Sequence, residues 1–250
     1  MIELHEITQT FGNFQALRGI NLTVREGAVT CVLGDNGAGK STLIKILAGL
    51  TPPTGGTITV DGEEVHFASP RDSLDAGIAT VYQDLALVPS LSVWRNFFLG
   101  QELTGALGRL REEEMKKITH EQLSSMGIVL GDVSVELSAL SGGQRQVVAI
   151  ARAIYFGARY IILDEPTAAL GVKQSGMVLR FIDAARERGM GVVFITHNPQ
   201  HAYLVGDHFV VLTVGEATVD AAKEDVTLPE LTQWMAGGDE LEELKQELAR

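Results

Sequence analysis

Apolar and polar residues alternate along Met1–Thr8, Gly19–Val24 and Gly56–Val60. That period-2 pattern predicts strands with one covered face. Ala28–Leu33 breaks the alternation with a continuous, partly β-branched apolar run closed by Gly34, as in a strand covered on both faces. Cys31, the single cysteine, lies in that run; it excludes an internal disulfide and is read as a buried strand residue. Lys40–Leu50 then sets Leu43, Ile44, Leu47 and Leu50 at helical spacing, an amphipathic helix stopped by Thr51-Pro-Pro-Thr-Gly-Gly56.

From about Pro89 to Phe156 the pattern turns helical and more charged, with residues 109–127, RLREEEMKKITHEQLSSMG, as one exposed helix. Tyr160–Leu163 and Val192–Thr196 are two further buried strands with the helical stretch Lys173–Arg188 between them. Strand, helix, strand in that order implies a parallel sheet. A β-hairpin is expected near His208–Val219. The tail Asp239–Arg250 carries Leu241, Leu244 and Leu248 along one side, which predicts a short helix docked on its own domain, too short for a coiled coil.

Composition narrows the class. The chain of 250 residues is 45% hydrophobic and 21% charged, ordinary for a folded α/β protein with a sizeable core. Twenty Lys+Arg against 32 Asp+Glu give a net charge of −12. A nucleic-acid backbone needs a basic surface, so nucleic acid is not an expected partner; a nucleotide needs only a local site. No run reaches the roughly 18 apolar residues of a membrane-spanning helix, and the N-terminus lacks a signal layout. The chain is therefore expected in the cytosol or docked on a membrane through a partner.

The chemistry concentrates in three places. Gly34-Asp35-Asn36-Gly37-Ala38-Gly39-Lys40-Ser41-Thr42 fits G-x-x-x-x-G-K-[ST] between a predicted strand and a predicted helix, the context this phosphate-binding loop requires. Its glycines let backbone N–H groups turn inward on phosphate oxygens, and the helix N-terminus adds its partial positive charge. Lys40 is expected on the β- and γ-phosphates and the Ser41 hydroxyl on Mg²⁺. Tyr160–Glu165 is an apolar strand ending in two carboxylates. Neighbouring strand side chains point to opposite sides, so one of the pair is free for the metal and the other for orienting a water. Ser141-Gly142-Gly143-Gln144 opens a helix, with Ser141 as its N-cap and the glycines leaving its N-terminus open to a second phosphate contact.

These motifs, in this order, resemble the nucleotide-binding domains of ATP-binding-cassette proteins. The resemblance covers essentially the whole chain as one domain, 1–250. It implies an α/β fold: a P-loop NTPase core with a mostly parallel sheet, an antiparallel β subdomain, and a helical subdomain at roughly 88–158. It further implies ATP and Mg²⁺ as ligands, and a homodimer on ATP binding in which Ser141–Gln144 of one copy act in trans on nucleotide held by the other. Residue by residue, Asp164 and Gln83 resemble the metal-associated positions, Glu165 the general base, His197 the γ-phosphate contact and Phe11 the aromatic on adenine, with Phe14 as competitor. One departure stands out: the family's usual Ser-Ala-Leu-Asp is Ala168-Ala-Leu-Gly171 here, so the aspartate that helps join the two sites is absent. Leu85-Ala-Leu-Val-Pro and Trp234-Met-Ala-Gly-Gly are similar to sugar importers of the single-cassette branch. The implied partners are two transmembrane permease subunits and a periplasmic or surface solute-binding protein, with the chain peripheral on the cytoplasmic face of the membrane. Leu85–Phe98 is the expected permease-docking surface. The alternative, a non-transport cassette ATPase, calls for a long coiled-coil insertion or a second cassette, and neither pattern is seen.

Overall fold

The computed structural model describes residues 1–235. Strand β1 (Ile2–Phe11) turns at Gly12-Asn13 into β2 (Phe14–Val24). Both are longer than the alternation alone predicts, because they continue as a hairpin whose last pair is Phe11 and Phe14. β3 (Val29–Gly34) leads through a loop into α1 (Lys40–Leu47), which ends three residues before the expected Leu50. β4 (Gly55–Val60), β5 (Glu63–Val65), α2 (Pro70–Asp75) and β6 (Ile78–Val81) follow. Next come α3 (Val93–Phe98), α4 (Glu112–Ser125) and α5 (Gly142–Tyr155). The expected helix over 109–127 thus starts later, with Glu112, Glu113 and Glu114 in its first turn, where their charge suits the helix N-terminus. The chain closes with β7 (Tyr160–Asp164), α6 (Val172–Glu187), β8 (Gly191–Thr196), α7 (Pro199–Val205), β9 (His208–Thr213), β10 (Glu216–Ala222) and α8 (Leu228–Met235). The leucine stripe of the tail lies outside the described residues.

A four-stranded antiparallel sheet has the order β2-β1-β4-β5, and a six-stranded sheet the order β10-β9-β3-β8-β7-β6. The latter is parallel from β9 to β6, with β10 antiparallel at its edge. Period-2 geometry divides each central strand between two cores. In β3, Val32 faces a core shared with the antiparallel sheet and α1, including Ile2, Leu22, Leu43 and Leu47. Val29, Cys31 and Leu33 face the other side, with Val178 and Ile182 of α6, Ala202 of α7 and Leu231 of α8. Burial pushes the Cys31 thiol pKa well above its ordinary value, in keeping with an inert core residue. A third core joins α3, α4 and α5 through Val93, Phe97, Phe98, Met115, Leu123 and Val148, and Phe181 of α6 ties it to the rest.

The two sheets are pinned where the β4–β5 turn meets the start of β7. Asp61 pairs with the N-terminal ammonium and, at 2.7 Å, with Arg159; the Tyr160 hydroxyl beside it donates to Glu26 at 3.0 Å.

Candidate functional site

The phosphate loop leaves β3 at its C-terminal end, where ligand crevices form in open parallel sheets. Gly34 has φ +147°, and a Cβ there would sit 2.4 Å from the Leu212 carbonyl oxygen; at Gly39, with φ +109°, it would meet Leu17 at 2.8 Å. Only glycine fits either position. The N–H groups of Gly37, Gly39, Lys40 and Ser41 donate to no acceptor among the described residues, and Asp35, Asn36, Gly37 and Ser41 are exposed. These donors around an open mouth form an anion cradle. Lys40 is buried, and its ammonium folds back to donate to the carbonyls of Gly34 (2.6 Å) and Asp35 (2.9 Å). Burial lowers its pKa, opposed by the charges of Glu165, Asp35 and Asp164.

Asp164 ends β7, two strands away across β8. Burial raises its pKa, the Glu165 charge adds to the rise, and Lys40 opposes it. Its carboxylate has no hydrogen-bond partner among the described residues. Strand alternation predicts the split between the two acids, but the structure achieves it differently. Glu165 has φ +47°, leaves the strand, and reaches the end of β8. There its carboxylate lies 2.8 Å from His197 Nδ1, and the Thr196 hydroxyl donates to it at 3.5 Å. β6 pairs Val81 with Leu163, so the exposed Gln83 emerges just beyond the level of Asp164. Phe11 and Phe14 are both exposed at the tip of the β1–β2 hairpin, and the backbone of Ala16 in β2 abuts Gly39.

Lys40, Asp164, Glu165 and His197 thus gather at the C-terminal ends of β3, β7 and β8. Ser141–Gln144 stand apart: no hydrogen bond joins them to the phosphate loop among the described residues. Ser141 does cap α5, in a box where Gln144 N–H donates to its hydroxyl (3.3 Å) and its own N–H donates to Gln144 Oε1 (2.9 Å). The two glycines differ from expectation. Gly142 is half-exposed, but Gly143 is buried against α6, where a Cβ would meet that of Gln174 at 3.0 Å. Gly143 therefore lets α5 pack closely on α6. Gly171 takes the N-cap position of α6 without a side-chain cap, its N–H donating to Gln174 at 3.2 Å.

Leu85–Phe98 needs a correction. Val93, Trp94, Phe97 and Phe98 are buried in the third core, because α3 turns its apolar face toward α4 and α5. What remains open is a groove of about 270 Å³ between α2, β6 and α5, lined among others by Leu74, Tyr82, Leu85, Leu87, Arg152 and Phe156. Three residues that sequence reasoning passed over also belong to the site: Thr196, Thr167 and His201. His201 Nδ1 lies 3.0 Å from Thr167 Oγ1. The four-residue spacing of His197 and His201 at the start of a helix was the available signal.

The family described as ABC transporter matches residues 17–168. The chain belongs to the ABC transporter family. As an ATP-binding cassette it is an ATPase of transporters in this family. It is 41% identical to the xylose/arabinose import ATP-binding protein XylG of Sulfolobus acidocaldarius, over 94% of this chain and 93% of that one. It is 39% identical to the fructose import ATP-binding protein FrcA of Rhizobium meliloti, with the same coverage, 94% and 93%. Against the ribose import ATP-binding protein RbsA 2 of Escherichia coli O157:H7 it is 36% identical over 95% of its length, spanning 46% of that longer protein. Among solved cassettes, the dimeric post-hydrolysis state of MJ0796 bound to ADP and Pi superposes with a TM-score of 0.75 at 28% identity, covering 89% of this chain and 99% of that one. The ADP conformation of the cassette MJ1267 shares the fold, with a TM-score of 0.81 at 23% identity over 94% of each chain.

Proposed function

We propose that this ABC ATPase energises the import of a monosaccharide, hydrolysing Mg·ATP held between two copies of the chain. The observation that carries the reading is the convergence of Lys40, Asp164, Glu165 and His197 on one mouth, beside a ring of free backbone N–H donors. Lys40 exchanges its carbonyl partners for the β- and γ-phosphates. Glu165, its carboxylate oriented by His197 and Thr196, accepts a proton from the attacking water. His197, keeping Nδ1 on Glu165, offers its Nε2 to the γ-phosphate. Phe11 stacks on adenine. The exposed Ser41 hydroxyl, the unpartnered Asp164 carboxylate and Gln83 are an all-oxygen donor set that fits Mg²⁺, which when bound would neutralise charge on the phosphates. Ser141–Gln144, detached from their own phosphate loop, complete the site of the second copy.

The sugar assignment is drawn from the relatives, whose names cover pentoses and a ketohexose. The groove beside α5 is the docking site for one of two permease subunits, and a solute-binding protein delivers the cargo from outside. A net charge of −12 suits the excess of Lys and Arg on cytoplasmic permease loops, which supports a position on the inner face of the membrane.

Glu165→Gln tests the catalytic reading. The amide keeps the shape but cannot take a proton, so binding of a fluorescent ATP analogue should persist while steady-state hydrolysis falls by about 100-fold or more. Hydrolysis near the wild-type rate under saturating Mg·ATP would sink it.

A further inference from the structure

The segment after Glu165 runs Pro166-Thr167-Ala168-Ala169-Leu170 into α6 and is unusually constrained. Glu165 and Ala169 both have left-handed backbones, φ +47° and +57°, which non-glycine residues keep only where their surroundings hold them. Two ties do so. The first runs from Glu165, whose N–H donates to the Ile195 carbonyl (3.0 Å) and whose carboxylate meets His197 Nδ1 (2.8 Å). The second runs from Thr167, a buried residue whose hydroxyl meets His201 Nδ1 at 3.0 Å and has no other partner among the described residues.

His201 is itself fixed. Its N–H donates to the Asn198 side chain at 3.0 Å, and Asn198 N–H donates to the Thr196 hydroxyl at 3.1 Å. The same Thr196 hydroxyl donates to Glu165 at 3.5 Å. His197 and His201 therefore reach from one short stretch of chain to both ends of the Glu165–Thr167 turn, which is closed by Ala168 N–H donating to the Glu165 carbonyl (3.0 Å). Burial, and behind it the neighbouring His197, lowers the His201 pKa, which favours the neutral ring.

We infer that His201 is a positioning residue for ATP hydrolysis: through the Thr167 hydroxyl it holds the Glu165 turn in register with His197. It touches neither phosphate nor water. It sets the angle from which Glu165 presents its carboxylate, so its loss shows in turnover rather than in nucleotide affinity. The inference rests on Glu165 being the base.

The experiment is a double-variant cycle in the full chain. Thr167→Val, nearly isosteric, removes the hydroxyl without opening space, and His201→Ala removes the ring. Each should lower kcat by about tenfold, the scale of a small misplacement of a catalytic group, with KM for ATP within about twofold of wild type. Because both cut one tie, the double variant should be no slower than the slower single one. Thr167→Ser, and His201→Asn with its amide near the place of Nδ1, should recover most of the rate. Wild-type kcat in Thr167→Val, multiplying losses in the double variant, or a fall in kcat matched by a rise in KM would each overturn the positioning role. Glu165→Gln in the same series separates the failures. If it is inactive while Thr167→Val is normal, only the tie is wrong. If it hydrolyses ATP normally, the base assignment falls first.

Discussion

Gly142 and Gly143 sit side by side in the motif yet face different constraints. A methyl group on Gly143 would press on Gln174 at both Cβ (3.0 Å) and Cα (3.4 Å), so α5 would have to move off α6. On Gly142 it would touch only the tip of Leu170, at 3.0 Å, which can rotate away. Gly143→Ala should therefore destabilise the chain by about 1–3 kcal/mol, the range for overpacking, and Gly142→Ala by distinctly less; urea unfolding of both variants checks the ranking. Sequence could name this pair but not part them, since the difference depends on a helix some thirty residues further along the chain. The same limit applies to Thr167 and His201. Their hydroxyl and imidazole are ordinary residue types, brought together only because β7 and β8 are neighbours. Lys40, Asp164 and Glu165 were legible because a glycine loop after an apolar strand, and carboxylates at the end of another, have few other uses.

At the scale of elements, the long apolar runs were readable and the short ones were not. β3 announces itself with six buried residues. β6 has only Ile78–Val81, too few to show a period, although it carries the chain to Gln83, just beyond the level of Asp164. α7, at seven residues, is shorter than two full turns of apolar pattern need. The composition of Leu85–Phe98 misled because hydrophobicity cannot tell a docking face from a core face; α3 supplies the latter. What joins that helix to the exposed part is Asn96, fully buried. It accepts from Val88 N–H (2.8 Å) and donates toward the carbonyls of Val88 (2.9 Å), Ser92 (3.1 Å) and Leu91 (3.2 Å). Asn96→Ala leaves the Val88 N–H without its partner, while the carbonyls of Val88, Leu91 and Ser92 keep backbone donors (Leu91, Leu137 and Asn96 N–H); it should cost about 1–3 kcal/mol, the penalty of one buried unpaired group. Chemical denaturation measures it, and a cost under about 1 kcal/mol would mean that water replaces the side chain.

For the whole molecule, the joint between the two sheets carries an acid-sensitive ion cluster. The N-terminal ammonium first, then Arg159, holds the Asp61 carboxyl at about 2, against 3.8 for a free one. A depressed carboxyl pKa contributes stability above the unfolded value, and that contribution is lost as pH falls from about 4 toward about 2. Asp61→Asn should flatten the stability profile across that window and leave it parallel to wild type above pH 5; thermal melts on a pH series would show it. The two-copy arrangement has its own test. Ser141→Arg should leave nucleotide binding to a single protomer nearly intact and abolish Mg·ATP-dependent dimerisation in sedimentation. Mixed with Glu165→Gln, it offers one interface with both an intact serine and an intact base. Gly171, in place of the coupling aspartate, predicts that this lone site hydrolyses ATP; a mixture without activity would show that the two sites remain interdependent.

One element joins the two places proposed above as contacts with other chains. α5 begins at Ser141, proposed to face a second copy, and its last turn, with Arg152 and Ala153, and Phe156 just beyond it, walls the groove proposed for a permease subunit. Its 14 residues span about 21 Å at about 1.5 Å per residue, fastened along the way to α6. A helix of that length acts as a strut: pushed at one end, it moves at the other with little give. A shift of an ångström in whatever occupies the groove would reach the cap of α5 as a displacement of similar size, with no relay of side chains in between.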